Sequence, residues 1–466
     1  KNFPLPGLST LRTWAKQFSV EQGLLTGVMF LLKSKALSLT RNEKIVVLSF
    51  DETYVSHKMC YDKGNEQILG PHKCVQVVMA RGLIQQWKQP IFYSFDTAMT
   101  KDILMNIISN LHHVGYEVVG LVSDMGPTNI GLWKALNIKP TSPSFENPET
   151  KKRVHVFADV PHLIKLMRNH FIDKGFILPD ESYIGREVIE QYICIAANSD
   201  YKLAHKISEK HINVVGTLRQ NVRLAVQLFS NTISKALQYC GEKQIIKNNN
   251  WEKASSVFSL INYWFDLLNT QFPVDKFTKS YGMELDSQNA VLDKMDYFIT
   301  NMKVYGSKRR LPFQTGILVT NASLRNLLSD LKMEYNDVYY IMTRRLNSDV
   351  LENFFSFIKG MIGSSTHISP LEFKYCLRWY LLGKYSNSVF TEHRNTEDTN
   401  EESLINCLSA CTVNKADIIN NDNSSIASIK NDGIDESISS IINNGTNSNY
   451  QIPECSLELL KEFELQ

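Results

Sequence analysis

Two stretches of this chain are written alike, and together they narrow the folds open to it. Lys44-Ile45-Val46-Val47-Leu48-Ser49-Phe50 runs without Pro or Gly into Asp51. Tyr116-Glu117-Val118-Val119-Gly120-Leu121-Val122-Ser123 runs into Asp124. Each reads as a buried strand that delivers a carboxylate at its C-terminal end. Two such strands in one sheet would set like charges side by side, an arrangement that becomes favourable when divalent cations sit between them. The bland alternative is that each Asp only closes a turn or caps a helix after its strand.

The elements around these strands follow an order. After strand 44–50 comes an expected hairpin of Val55–Cys60 and Cys74–Met79, with Asp62-Lys63-Gly64-Asn65 in its turn. A strand at Pro90–Phe95, a helix at Lys101–His113, strand 117–123, a short helix at Pro127–Leu136 and a strand at Arg153–Ala158 complete it. Three meandering strands followed by α/β alternation is the ribonuclease H-like order, not a doubly wound one. That order puts one acid on the first strand and another on the fourth, the places of Asp51 and Asp124.

The third acid lies far downstream. Residues 171–345 read as mostly helical, with helices expected at 186–196, 213–237, 251–268, 287–303 and 318–333. They interrupt the α/β pattern, so an insertion is the favoured reading. Then Asn347-Ser348-Asp349-Val350-Leu351-Glu352-Asn353-Phe354-Phe355 opens a helix that Gly360 can end. Leu351, Phe354, Phe355 and Ile358 form its apolar stripe, and Glu352 lies off that stripe. A Glu on such a helix is ordinarily solvated; this one gains weight from its place after the two Asp strands. Glu52 points to the opposite face from Asp51 and is left out of the site.

The flanks carry less information. Residues 1–43 read as two helices, one capped by Ser9-Thr10 and one from Val20 to about Leu37, with Arg12, Lys16, Lys33 and Lys35 around them. They suit a helix-turn-helix-like DNA-binding or dimerisation segment, or equally a helical pair packed on the sheet. Asp159-Val160-Pro161-His162 suits a capped helix start, and Lys165, Arg168 and Asn169 recur on one face, either solvated or turned toward DNA phosphates. Lys308, Arg309 and Arg310 form a second basic cluster. From about residue 391 to 466, Asn, Ser, Asp and Glu dominate, an acidic and loosely ordered composition.

The net charge is +2 over 466 residues, so any nucleic-acid contact must use local patches of this kind. Eight scattered cysteines without a CxxC pair argue against a zinc site and for free thiols in a reducing compartment. No apolar run approaches a membrane span. The chain begins at Lys1, so an upstream part is expected to be missing.

Taken together, six short motifs resemble the P element transposase family, a group of THAP-domain DDE transposases related to the hAT transposases. They are Leu5-Pro6-Gly7-Leu8-Ser9-Thr10-Leu11-Arg12-Thr13-Trp14, Ser49-Phe50-Asp51-Glu52, Val122-Ser123-Asp124-Met125-Gly126, Asp159-Val160-Pro161-His162-Leu163-Ile164-Lys165, Phe313-Gln314-Thr315-Gly316 and Asn347 to Phe355. Each is weak alone; in this order over residues 1–390 they are specific. The resemblance implies an α/β ribonuclease H-like catalytic domain split by a large helical insertion that binds GTP. The expected division is 1–43 helical, 44–170 first catalytic part, 171–345 insertion, 346–390 second catalytic part with the Glu helix, and 391–466 acidic C-terminal region. The family's zinc-bearing THAP domain would precede Lys1.

The resemblance further implies cut-and-paste transposition in the nucleus. Asp51, Asp124 and Glu352 would hold two Mg²⁺ ions roughly 4 Å apart, with hydrolysis at the transposon ends and transfer of 3′-hydroxyl ends into target DNA. The partners would be terminal inverted repeat DNA, target DNA and further copies of the chain. GTP would act as a non-hydrolysed assembly cofactor; no P-loop occurs. On chemical grounds Asp266 suits the guanine donors, Lys206 the phosphates, and Asp349 either metal or nucleotide. Arg12, Lys165, Arg168, Lys308, Arg309 and Arg310 are the expected DNA contacts. The competing readings are a domesticated DNA-binding descendant without catalysis and a GTP-regulated nuclease; the presence of all three acids favours the transposase.

Overall fold

A seven-stranded mixed sheet is the frame of the computed structural model, which describes Gly7, Ser9, Thr10, Thr13 and residues 18–383 except 198–202, 248–249, 275–277 and 364–366. Its strands are β1 (Gly23–Leu24), β2 (Ile45–Tyr54), β5 (Cys74–Gly82), β6 (Lys88–Phe95), β7 (Glu117–Ser123), β8 (Ser144–Glu146) and β9 (Arg153–Ala158). The spatial order is β1-β6-β5-β2-β7-β9-β8. The inner five are three antiparallel strands joined to two parallel ones, the ribonuclease H-like arrangement that the element order predicts. Ile45 to Phe50 are buried throughout, as a central strand covered on both faces requires.

The expected hairpin is corrected in one respect. Its turn is at residues 63–66, but the turn joins β3 (Cys60–Asp62) to β4 (Gln67–Leu69), a separate two-stranded ribbon. The later strand, β5, pairs with β2 instead, with Asp51 opposite Val77. Gly64 N–H and Asn65 Nδ2 donate to the Asp62 carboxylate, which closes the small turn locally.

Helix α1 (Thr26–Ala36) buries Val28, Met29, Leu32 and Ala36, and Tyr116 Oη donates to Leu32 O at 3.1 Å. Its apolar face is used up by the catalytic domain, as in the packed alternative to a free helix-turn-helix. The helix expected before it lies largely outside the described residues, as does 391–466. Helix α2 (Lys101–His113) is capped by Thr100 and buries Leu104, Ile107, Ile108 and Leu111. Helix α3 (Pro127–Ala135) follows β7, and α4 (Val160–Lys174) follows β9.

The insertion leaves from the end of α4. Strands β10 (Phe176–Ile177), β11 (Tyr183–Ile184) and β12 (Lys303–Val304) form a three-stranded sheet at its base. Helices α5 (Glu187–Ala197), α6 (Val222–Leu228), α7 (Asn231–Glu242), α8 (Trp251–Leu267), α9 (Leu285–Asn301) and α10 (Pro312–Glu334) make up the rest. The single helix expected at 213–237 is broken because Asn221 and Ser230 each accept a hydrogen bond from the next turn and start new helices. Phe171, Phe176, Phe229 and Phe258 meet edge to face at its centre.

Helix α10 brings the chain back onto β9. A Cβ on Gly316 would lie 2.8 Å from Leu163 Cδ2 and 3.1 Å from both Ala158 Cβ and Met125 Sδ. This close approach gives the Phe313-Gln314-Thr315-Gly316 motif a packing role. Helix α11 (Asp349–Gly360) then carries Glu352, and α12 (Pro370–Leu381) packs against the β3–β4 ribbon through Lys374, whose Nζ lies 3.1 Å from Asp62 Oδ2. The described cysteines are free, and among the described residues no helix is long and apolar enough to cross a membrane.

Candidate active site

Register alone brings the two sequence-predicted aspartates together. In the parallel ladder Ser49 faces Val122, so two residues further on Asp51 and Asp124 stand at the same level. Strand β7 ends there while β2 runs on to Tyr54, paired from that point only with β5. Asp51 therefore sits where its parallel neighbour has stopped, open to the cleft. The same rule places a third aspartate. Ser123 faces Ala158, which puts Asp159 level with Asp124 at the end of the third parallel strand.

The electrostatics agree with the register. Burial pushes the Asp51 carboxyl up to about 7, and the charges of Asp124, Asp159 and Glu352 push the same way. The Glu52 N–H, donating to Asp51 Oδ1 at 2.8 Å, partly offsets this. Asp124 Oδ1 accepts from Gly126 N–H at 2.9 Å and from Asn129 Nδ2. The Glu352 carboxyl is open to solvent but sits in a crowded concave position, and burial there with the charge of Asp159 raises its pKa against the pull of Lys165. Glu52 faces the other way, where Cys74 Sγ lies 3.7 Å from its Oε2.

Four carboxylates thus share one electrostatic neighbourhood, one more than the sequence reading assigned. Asp159 matches the pattern used for Asp51 and Asp124, an apolar strand, Arg153–Ala158, running into Asp. It also reads as the cap of α4, which it is: its Oδ2 accepts from His162 N–H at 3.0 Å. Lys359, two turns after Glu352, carries no such signal in the sequence; burial lowers its pKa and Asp51 opposes the shift. His162 is held below the usual imidazole range by burial and Lys165, with Asp124 and Asp159 opposing.

The donors are all hard oxygens, and a cation would relieve the crowding that raises Asp51, so the chemistry of the set fits Mg²⁺. Among the described residues, no three His, Cys, Asp or Glu side chains already converge as a formed metal cage.

The expected DNA contacts divide. Lys165 is buried and faces Glu352 rather than a solvated surface. Arg168 is corrected: it is 0% exposed, and its guanidinium donates to the carbonyls of Leu218, Arg219 and Asn221 and to Asn169 Oδ1. Those carbonyls lie in and just after a 3₁₀ turn and engage Nη2 in the interior, away from any surface a DNA phosphate would meet. Lys308, Arg309 and Arg310 are exposed between β12 and α10. Arg12 lies outside the described residues.

Of the expected nucleotide residues, Asp266 and Asp349 lie on two segments that touch. Asp266 is in the last turn of α8 and accepts from Asn262 Nδ2 at 2.6 Å. Just beyond it, Thr270 Oγ1 and Thr343 Oγ1 are 2.9 Å apart, and Asn347 Nδ2 donates to Asn269 Oδ1 at 3.4 Å. Asp349 opens α11 and pairs with Arg344 at 3.1 Å. Lys206 is exposed on a turn tied to α5 by the Ala204 N–H donating to Tyr192 Oη.

Two family models match the chain. Residues 20–137 match the family model described as "TNP-like, RNase H N-terminal domain", and residues 161–281 match "TNP-like, GTP-binding insertion domain". The chain is 37% identical over 410 residues to the Transposable element P transposase of Drosophila melanogaster, covering 87% of this chain and 54% of that one. It is 22% identical to the human DNA transposase THAP9, covering 80% of this chain and 45% of that one. It thus spans about half the length of these curated relatives. A solved structure, "Drosophila P element transposase strand transfer complex", superposes with a TM-score of 0.77 at 36% identity, covering 85% of this chain and 87% of that one.

Proposed function

Since the chain belongs to the P element transposase family, we propose that it is the catalytic part of a Mg²⁺-dependent cut-and-paste DNA transposase. Asp51, Asp124 and Glu352 are its metal ligands. The observation that carries this reading is the shared electrostatic neighbourhood of acids from two adjacent strand ends and one distant helix, with Asp51 raised to about 7 by burial and by its neighbours' charges. A stable protein has no structural use for such crowding. When bound, the ions activate an attacking water or 3′-hydroxyl and stabilise the leaving oxygen.

The chain's own residues prepare the rest. Asn129 and Gly126 orient the Asp124 carboxylate from below the cleft. Lys165 beside Glu352 and Lys359 beside Asp51 put positive charge where a scissile phosphate would lie. Hydrolysis at a transposon end and transfer of the resulting 3′-hydroxyl into target DNA use the same residues, because only the nucleophile changes. DNA ends, target DNA and nuclear action follow from that chemistry.

GTP binds in this reading as an assembly cofactor, with Asp266 toward guanine and Asp349 at the seam between α8 and α11. Lys206 is kept as a phosphate contact, and the exposed cluster at residues 308–310 as a DNA contact. The test of the active site is Asp124→Asn, which should abolish Mg²⁺-dependent cleavage of transposon-end DNA while the protein stays folded. Cleavage at the wild-type rate in that variant would remove the assignment.

A further inference from the structure

Glu352 is held to the sheet by a residue 189 positions away in the sequence from the start of its helix. The Ser348 N–H, at the N-terminus of α11, donates to Asp159 Oδ1 at 2.8 Å. The Ser348 side chain makes no capping bond of its own. Ser348 is 6% exposed and Asp159 2%, so water does not serve this amide instead. Ser348 O in turn accepts from Glu352 N–H at 3.3 Å. On the sheet side, the Asp159 N–H donates to Ser123 O at 2.9 Å, one residue before Asp124.

We propose that Asp159 is a positioning residue that clamps the Glu352 helix to the Asp124 strand across the whole insertion. This rests on the active-site reading above and adds a role for a fourth carboxylate. Each oxygen of Asp159 accepts from a backbone amide of a different helix start, Oδ1 from Ser348 and Oδ2 from His162, so the carboxylate ties two backbones together. A carboxylate suits the place: it meets two helix N-termini, where negative charge is favoured. The insertion gives the clamp its purpose. The bond joins the start of the Glu352 helix to the end of β9, beside the Arg81 bond to Arg344 O and the Arg345 bond to Leu83 O that tie the preceding turn to β5 and the residue after it.

The test uses the full chain with four proteins: wild type, Asp159→Asn, Ser348→Pro and the double variant. Asn retains one acceptor oxygen where two are needed. Pro removes the Ser348 donor, and the extended Asn347 before it (φ −124°, ψ 175°) is compatible with a following proline. Steady-state cleavage of transposon-end DNA and hydrogen exchange of the 347–352 amides are both read. For Asp159→Asn, kcat should fall about 10–100-fold with KM for DNA unchanged, since Asp159 reaches no DNA. Exchange at 347–352 should rise while the amides of β2 and β7 stay protected. Ser348→Pro should reproduce both changes, and the double variant should lose no more than the worse single one.

Wild-type kcat in Asp159→Asn would overturn the clamp, as would losses that multiply in the double variant. A raised half-saturating Mg²⁺ concentration with unchanged exchange would also overturn it, by making Asp159 a ligand. If either single variant fails to fold, the other carries the same comparison. Failure of the parent reading looks different: Asp124→Asn would then cleave, while the exchange measurement would still report on the clamp.

Discussion

The carboxylates of the candidate site and those of the insertion are held in opposite ways. In the insertion and at its borders, Asp173 pairs with Arg219, Asp180 with Lys253, Asp293 and Asp296 with Arg325, and Asp349 with Arg344. Among the described residues, none of Asp51, Asp124 and Asp159 at the strand ends, nor Glu352 on α11, forms an ion pair with a side chain. The paired Asp173 and Asp180 carboxyls are pulled below the usual range, chiefly by their Arg and Lys partners. Asp51 and Glu352 are pushed above it, chiefly by burial. Asp173 and Asp180 are finished as structure. The unpaired ones are an incomplete site, and what completes it must carry positive charge.

The widest way to break this contrast is Asp51→Asn. It should lower Mg²⁺-dependent cleavage at least a thousandfold, about 4 kcal/mol of transition-state stabilisation. Without metal the same substitution should raise the unfolding temperature, because it removes a repelled charge. The folded-state pKa of Asp51 is raised, so its favourable contribution is full below the usual value of 3.8 and is lost as pH rises through about 7. Metal-free wild type should therefore lose stability over that window, and Asp51→Asn should lose less. Mg²⁺ at a hundred times its Kd should restore about 2.7 kcal/mol to wild type and much less to the variant. A variant that is less stable without metal would mean that Asp51 is paired in the ordinary structural way.

The contrast also separates what a sequence can disclose from what it cannot. The sheet order and the level of Asp51 and Asp124 were legible because they depend on local runs: apolar strands, a two-residue register and an acid at the end. Glu352 was legible only by its place after them. Asp159 was half legible. Its bond to His162 lies within four residues and reads as a cap; its bond to Ser348 joins elements on either side of the insertion. Arg168 misled for a related reason. A basic residue at helical spacing looks solvated until the carbonyls of Leu218, Arg219 and Asn221 fold over it. In the insertion, periodicity located the helices, but nothing local said that Thr270 would meet Thr343 and so bring Asp266 toward Asp349.

A smaller effect tests whether one insertion carboxylate is functional. Asp266 accepts from the side-chain amide of Asn262 at 2.6 Å. If it reads guanine, Asp266→Asn should weaken GTP about tenfold, about 1.4 kcal/mol, and shift preference toward the xanthine nucleotide, whose ring presents an acceptor where guanine presents a donor. Competition binding of the two nucleotides checks this. An unchanged preference would return Asp266 to the structural group.

The smallest effect is expected where pairing is complete. Lys253 and the Ser182 hydroxyl hold the Asp180 carboxyl down to about 2. A depressed carboxyl contributes stability above its unfolded value and loses it as pH falls through the folded one, the reverse of Asp51. Both side chains are about half exposed, at 43% for Lys253 and 52% for Asp180, so solvent screens the pair. Asp180→Asn should therefore cost about 0.5 kcal/mol or less at pH 6, with urea midpoints converging with wild type as the pH is lowered toward 2. Added salt should shrink the difference further. A cost several times larger would show that pairing in the insertion does more than neutralise charge. Asp180, between β10 and β11, would then be holding the base of the insertion in place.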